Sequence, residues 1–211
     1  MLKIAILSGS SRPDSQSGKV ATYLQQQLQQ RGEQACVLDL AVTPLPLWPA
    51  GPAEHWPAMQ AQLVEADALV VIAPEWHGMA CPAVKNFFLY ASKAELAHKP
   101  ALLVGVSSGI GGAYPISELR ASGYKNCRLC YLPEHLIIRQ VEQVLNAGTA
   151  LVNELGLTGT KYGCGIAACG QAKKRWRQRC AVPTWMPSSC ATARSGRASR
   201  SASACPSHFS R

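Results

Sequence analysis

Segments that are apolar at every position alternate along this chain with segments that are apolar on one face only. Residues 4–7 and 68–73 have no polar position, as expected of strands buried on both sides of a parallel sheet. Residues 18–31 place Val20, Leu24 and Leu28 on one side and glutamines on the other, which predicts an amphipathic helix.

The same pattern predicts five strands joined by helices. The strands cover residues 4–7, 35–40, 68–73 and 100–106, and a last strand over 128–132 and 135–138 is interrupted by Pro133. The helices cover residues 18–31, 58–66, 83–93 and 114–122, and residues 139–155, interrupted by Asn146-Ala147-Gly148, are the candidate for a closing helix. Such alternation gives an α/β fold, a parallel sheet covered on both faces that binds ligands beyond the carboxyl ends of its strands.

The segment after the first strand, residues 8–17, is rich in groups that bind anions. Its hydroxyls, one guanidinium and the start of the next helix converge on a small volume that suits a phosphate. Pro13 and Val20 stand where a P-loop needs Gly and Ser or Thr, and Gly9 lacks the further glycines of a dinucleotide fingerprint. The alternative is a helix start that a serine merely caps. The candidate phosphate-binding side chains are Ser8, Ser10, Ser11, Arg12, Ser15 and Ser17.

The segment after the third strand, residues 74–82, reads PEWHGMACP and is predicted to be a loop. An aromatic side chain beside polar ones at a strand end can hold a flat heterocycle. His77 is a candidate catalytic acid, although a single histidine in a loop is more often a binding or packing residue. Glu75 either faces the ligand or caps the next helix.

The segment after the fourth strand, residues 107–113, reads SSGIGGA. Each glycine removes a side chain that would keep a ligand away from the backbone, and the alternative is a plain turn. Because the carboxyl ends of parallel strands meet at one edge of the sheet, we expect the three loops to share one site.

Charge and cysteine content separate the chain into two parts. All 12 Asp and Glu residues lie at or before Glu154, so the formal net charge of +9 comes from residues 158–211 and says nothing about partners of the first part. Four cysteines of the first part have apolar neighbours, which predicts buried, reduced thiols. No apolar run is long enough to span a bilayer, and the N-terminus does not resemble a signal peptide, so a cytoplasmic location is expected. The four cysteines are Cys36, Cys81, Cys127 and Cys130.

Residues 1 to about 146 resemble the NAD(P)H-dependent FMN reductase family, the flavodoxin-like quinone, azo-dye and chromate reductases. GSSRPDSQS resembles the phosphate loop of that family, PEWHGMACPAVKN its PEYN-type flavin loop, and SSGIGGAY its Gly-rich loop after the fourth strand. All three occur in order at the expected strand ends. Trp76 and His77 stand where relatives often have Tyr and Asn.

The resemblance implies a flavodoxin-like, doubly wound, five-stranded parallel sheet of order 2-1-3-4-5 with non-covalent FMN. NAD(P)H would pass hydride to the flavin and leave, and a quinone-like or other small acceptor would then be reduced, with no catalytic side chain and no metal. The alternative is a flavin-binding electron carrier, or an inactive remnant that does not turn over NAD(P)H. The resemblance also implies a homodimer or homotetramer. The implied FMN-binding residues are Ser10, Arg12, Ser15, Ser17, Pro74, Glu75, Trp76, His77, Ser107, Gly109, Gly111 and Gly112.

Residues 158–211 are predicted to be a basic, disordered tail after a reductase domain over 1–157. Residues 155–172 resemble a broken plant-type [2Fe–2S] loop in which Cys164 and Cys169 have the first ligand spacing, but Ala172 occupies the third position, so no cluster is expected. The tail composition is typical of out-of-frame reading of a GC-rich gene. The alternative, binding of nucleic acid by the basic residues around Trp176, is not favoured.

Overall fold

The computed structural model describes residues 1–50 and 53–146. Within them, the strands are β1 (Lys3–Ser8), β2 (Gln34–Asp39), β3 (Ala68–Trp76), β4 (Met79–Ala80), β5 (Pro100–Val106) and β6 (Cys130–Ile138). The helices are α1 (Gln16–Gln30), α2 (Trp56–Glu65), α3 (Pro82–Tyr90), α4 (Lys93–Leu96), α5 (Ala113–Ala121) and α6 (Tyr124–Cys127).

Five long strands form one parallel sheet in the order β2-β1-β3-β5-β6. Counted without the short β4, this is the predicted order 2-1-3-4-5, so the flavodoxin-like fold is confirmed. The predicted tail over 158–211 and its [2Fe–2S]-like segment lie outside the described residues, as does most of the boundary region near residue 157.

The core occupies both faces of the sheet, because successive residues of a strand point to opposite sides. Ala5 and Leu7 of β1 pack with the side chains of α2, α3 and α5, and the buried Phe87 lies in that layer. Ile4 and Ile6 face α1 and pack in a second layer that includes Val20.

The strand β3 and the segment after it differ from the prediction of a plain loop over 74–82. β3 continues to Trp76, and β4 returns antiparallel to it, pairing Glu75 with Ala80 and Trp76 with Met79. His77 and Gly78 form the connecting turn, both with positive φ, as a type I′ hairpin turn requires.

The strand β6 is continuous through Pro133, where the prediction had an interruption. Its pairing with β5 shifts register between Ala101 and Leu103. β6 is an edge strand, and an edge strand tolerates a proline at a bulge because the missing N–H has no partner to lose.

Residues 139–146 form turns, so this described part of the predicted closing helix is not helical. Lys19 of α1 holds the segment in place. Its Nζ donates to the carbonyls of Val141 and Val144, at 2.7 and 2.9 Å, and to Oδ1 of Asn146 at 3.0 Å.

The long proline-rich loop between β2 and α2 is fastened by Asn86 of α3. Its Oδ1 accepts the Trp48 N–H at 2.9 Å, and its Nδ2 donates to the carbonyls of Leu45 and Pro46. Because Asn86 is buried, these bonds satisfy polar groups that would otherwise be costly.

The four cysteines of the described part are free thiols, of which Cys81 and Cys127 are buried. Cys36 is partly buried and Cys130 is exposed, so the prediction that all four are buried is wrong for these two residues. In the same part of the chain, no helix combines the length and apolar character that a membrane span needs.

Candidate functional site

A polar cavity of about 220 Å³ lies at the carboxyl ends of β1, β3 and β5. Its wall combines the loop after β1, the end of β3 and the start of the loop after β5, as the sequence predicted for a shared site. Among the predicted site residues, those that line it are Ser10, Arg12, Ser15, Ser17, Pro74, Glu75 and Trp76.

The loop after β1 is fixed at Gly9 by the strands beneath it. The Gly9 N–H donates to the Ile72 carbonyl at 2.9 Å, and the Cys81 thiol donates to the Gly9 carbonyl at 2.8 Å. A Cβ on Gly9 would lie 2.2 Å from Cγ2 of Val84, so glycine is required here by close packing. Burial raises the pKa of the Cys81 thiol, which keeps it protonated and able to donate.

The start of α1 presents hydrogen-bond donors to the cavity. Ser15 caps the helix by accepting the Gly18 N–H at 3.0 Å, and the first turn contains no acidic residue. Ser10 and Ser17, at the cavity wall, are only 2% and 1% exposed. Buried hydroxyls beside the positive end of a helix dipole favour an anionic ligand.

The charges around the cavity are mixed. Among the described residues that line it, Arg12 is the one cation, whereas Asp14, Glu75 and Glu142 are acidic. Lys19 does not compensate, since its ammonium is held by the 141–146 segment, and partial burial lowers its pKa although Glu142 opposes that shift. A phosphate in this cavity would therefore depend on Arg12 and on neutral donors.

Glu75 connects the second and third loops. Its Oε2 accepts the Gly112 N–H at 2.5 Å, and a Cβ on Gly111 would lie 2.4 Å from its Oε1. The suggestion that Glu75 caps the next helix, α3, is therefore wrong, because the N-cap of α3 is Cys81. The N–H that Glu75 accepts belongs to Gly112, the N-cap residue of the later helix α5.

Other predicted site residues lie outside the cavity wall. His77 is exposed at the β3–β4 turn, and Ser107 accepts the Gly109 N–H at 3.2 Å. Val106 at the end of β5 and Ser108 of the loop after it reach the wall instead. The predicted residues that do not line it are His77, Ser107, Gly109, Gly111 and Gly112.

Sequence reasoning missed part of the wall and one residue that supports it. Arg139 holds the Gly-rich loop from outside, since its Nε donates to the carbonyls of Ile110 and Gly111 at 2.6 and 3.1 Å. Three of the missed residues, Pro13, Asp14 and Gln16, could have been found from their position within the first loop. Val141 and Glu142, which follow β6, lie in the segment expected to be a helix. The missed lining residues are Pro13, Asp14, Gln16, Val106, Ser108, Val141 and Glu142.

The residues present fit the phosphate end of FMN. The cavity offers buried hydroxyls, a helix start without an acidic first turn, and the Arg12 guanidinium. The end of β3 brings Trp76 to the same cavity, as a flat ring requires. In the described part of the chain, no group of three or more side chains could hold a metal ion.

Comparison with known proteins gives three kinds of match. A family model described as NADPH-dependent FMN reductase matches residues 2–143. An NADPH azoreductase of Bacillus sp. (strain OY1-2) is 30% identical over 126 residues, covering 57% of this chain and 68% of that protein. An FMN-dependent NADPH-azoreductase of Staphylococcus aureus (strain USA300) is 28% identical over 127 residues, covering 56% and 68%.

Solved structures support the fold. An NADH:FMN oxidoreductase in its apo form superposes with a TM-score of 0.61 at 17% identity, covering 82% of this chain and 90% of that one. The flavoenzyme NAD(P)H:(acceptor) oxidoreductase of Paracoccus denitrificans superposes with a TM-score of 0.55 at 21% identity, covering 85% and 98%.

Proposed function

The chain belongs to the NADPH-dependent FMN reductase family and is an FMN-dependent NAD(P)H oxidoreductase, and we propose that its FMN lies across the carboxyl ends of β1, β3 and β5. The observation that carries the placement is the cavity, which joins the hydroxyl-rich loop and the start of α1 to the end of β3. The phosphate would lie at Ser10, Arg12, Ser15 and Ser17, and the ring beside Pro74, Glu75 and Trp76.

The protein's own residues bind and orient, because FMN, when bound, supplies the hydride chemistry. Ser10 and Ser17 are buried at the wall, so their hydroxyls can donate to a phosphate without losing strong contacts to water. Arg12 adds one charge-assisted contact. No side-chain acid or base is needed in this assignment, and exposed His77 lies outside the wall.

We further propose that the acceptor is a small, flat, apolar molecule of the azo or quinone type. Met79 of β4 is 51% exposed and pairs with Trp76, and Tyr114 of α5 is 66% exposed, with its ring near Gly78. Exposed apolar side chains beside Trp76 would favour such an acceptor over a charged one. The azoreductase relatives support this choice.

Anaerobic reduction by NADPH tests the function. Protein purified with FMN should be yellow, and its visible flavin absorbance should bleach when NADPH is added and return on addition of a quinone or azo dye. Yellow protein that does not bleach would instead indicate an electron carrier or an inactive remnant. Protein that takes up no FMN at all would contradict both readings.

We also propose that the protein is a cytoplasmic homodimer or homotetramer. The free thiols of the described part agree with a reducing compartment. Leu47, Trp48 and Leu89 are 72%, 50% and 55% exposed, which is typical of a surface that a partner covers. Light scattering during gel filtration should therefore give a mass of two or four chains, whereas a monomer at micromolar concentration would contradict the proposal.

A further inference from the structure

Glu75 links the two loops that flank the proposed ring site, because it lies on one of them and accepts a hydrogen bond from the other. Its carboxylate accepts the Gly112 N–H at 2.5 Å, a charge-assisted bond. Gly111 leaves room for it, since a Cβ there would lie 2.4 Å from Oε1 and 3.0 Å from Cδ. Arg139 supports the same loop from its other side through the carbonyls of Ile110 and Gly111.

The charge of Glu75 is not cancelled by an ion pair. Within residues 1–50 and 53–146, Glu75 takes part in no ion pair, and it joins neither Lys3–Glu65 nor Lys85–Glu118. Glu75 lines the cavity and is only partly exposed, so solvent screens its charge incompletely. A negative charge therefore stands at the wall between the ring loops.

We propose that Glu75 is a positioning residue that fixes the Gly-rich loop and lowers the reduction potential of bound FMN. This inference rests on the proposed function, because it needs the ring beside β3. Two-electron reduction by hydride adds negative charge to the flavin, and a nearby carboxylate disfavours the form that carries more of it. The reduced flavin then gives its hydride to the acceptor more readily.

The substitutions Glu75→Gln and Glu75→Ala separate the hydrogen bond from the charge. Gln keeps an acceptor for Gly112 and removes the charge, whereas Ala removes both. In redox titrations of the FMN-loaded protein, both variants should shift the potential to more positive values, so that reduced FMN gains at least about threefold in affinity relative to oxidised FMN. An unchanged potential in Glu75→Gln would overturn the electrostatic part.

Hydrogen exchange at the Gly112 amide tests the hydrogen bond between Glu75 and Gly112 without any flavin. In the apoprotein, Glu75→Ala should speed that exchange by about tenfold, and Glu75→Gln should largely retain protection. Gly111→Ala should also speed it, because the new Cβ displaces the carboxylate. Gly109→Ala is the matched control, since its Cβ meets nothing within 4 Å.

If the Gly112 amide stays protected in both Glu75→Ala and Gly111→Ala, the proposal that Glu75 fixes the Gly-rich loop is wrong. This result is distinguishable from failure of the proposed function, in which the wild-type chain binds no FMN. In that case the exchange measurement would still show whether Glu75 fixes the Gly-rich loop. If Glu75→Ala folds poorly, hydrogen exchange in Gly111→Ala still tests the positioning of the loop. The potential of Glu75→Gln still tests the effect of the charge.

Discussion

Gly9→Ala is expected to lower the free energy of unfolding by about 1–3 kcal/mol and to weaken FMN binding severely. The new Cβ would lie 2.2 Å from Cγ2 of Val84 and 2.4 Å from the Ile72 carbonyl oxygen. The Ile72 oxygen belongs to the central strand β3 and accepts the Gly9 N–H, so it has no room to retreat. The phosphate loop must therefore move away from the sheet, and Ser10 moves with it.

Urea unfolding and FMN titration of Gly9→Ala measure the two effects. Gly109→Ala provides the control for the unfolding measurement, because it makes the same chemical change in a Gly-rich loop where the new Cβ meets nothing within 4 Å. We expect the control to change stability by less than about 0.5 kcal/mol. An equally small change for Gly9→Ala would show that the loop is not packed as described.

The requirement for glycine at residue 9 shows what a local pattern can and cannot predict. The sequence indicates a turn after an apolar strand, and a turn is present. The stronger constraint comes from Val84 and Ile72, which lie on α3 and β3 and approach Gly9 only in the folded chain. Gly111 is similar, since its missing side chain makes room for Glu75 and not directly for a ligand.

The parallel sheet could be predicted because β1, β3 and β5 are buried and have continuous apolar patterns, whereas the strand order was implied by the family resemblance. The β3–β4 hairpin was missed although a signal exists. His77-Gly78 is a two-residue turn whose positive φ values glycine adopts easily, yet histidine at the first position is an unusual choice. The second strand gave no pattern to recognise, because β4 is only two residues long.

The electrostatic setting of the site could not be predicted from the loops alone. Glu142 and Val141 reach the cavity because residues 139–146 form turns that Lys19 fastens to α1. A closing helix over 139–155, the expectation for this segment, would have placed these side chains elsewhere. Tertiary hydrogen bonds from Lys19 thus override a local helical tendency.

Arg12→Ala is expected to weaken FMN binding about tenfold or more, through loss of one charge-assisted contact worth roughly 1.5–3 kcal/mol. Among the described residues that line the cavity, Arg12 is the one cation facing three carboxylates, so its removal leaves the phosphate beside uncompensated negative charge. Because Arg12 is exposed, part of this loss should disappear at high salt. Fluorescence titration with FMN measures the affinity.

Riboflavin separates a phosphate contact from a general loss of the site, because it has the same ring and sugar chain without the phosphate. Its affinity should be unchanged in Arg12→Ala, and Arg12→Lys should bind FMN with intermediate affinity, since a point charge remains but the planar fork is lost. Arg31→Ala is the matched control. Arg31 lies at the other end of α1, where its Nη1 donates to the Gln27 carbonyl at 2.7 Å. Equal losses for FMN and riboflavin, or no loss for either, would show that the phosphate does not lie at Arg12. The proposed orientation of the whole flavin would then be wrong as well.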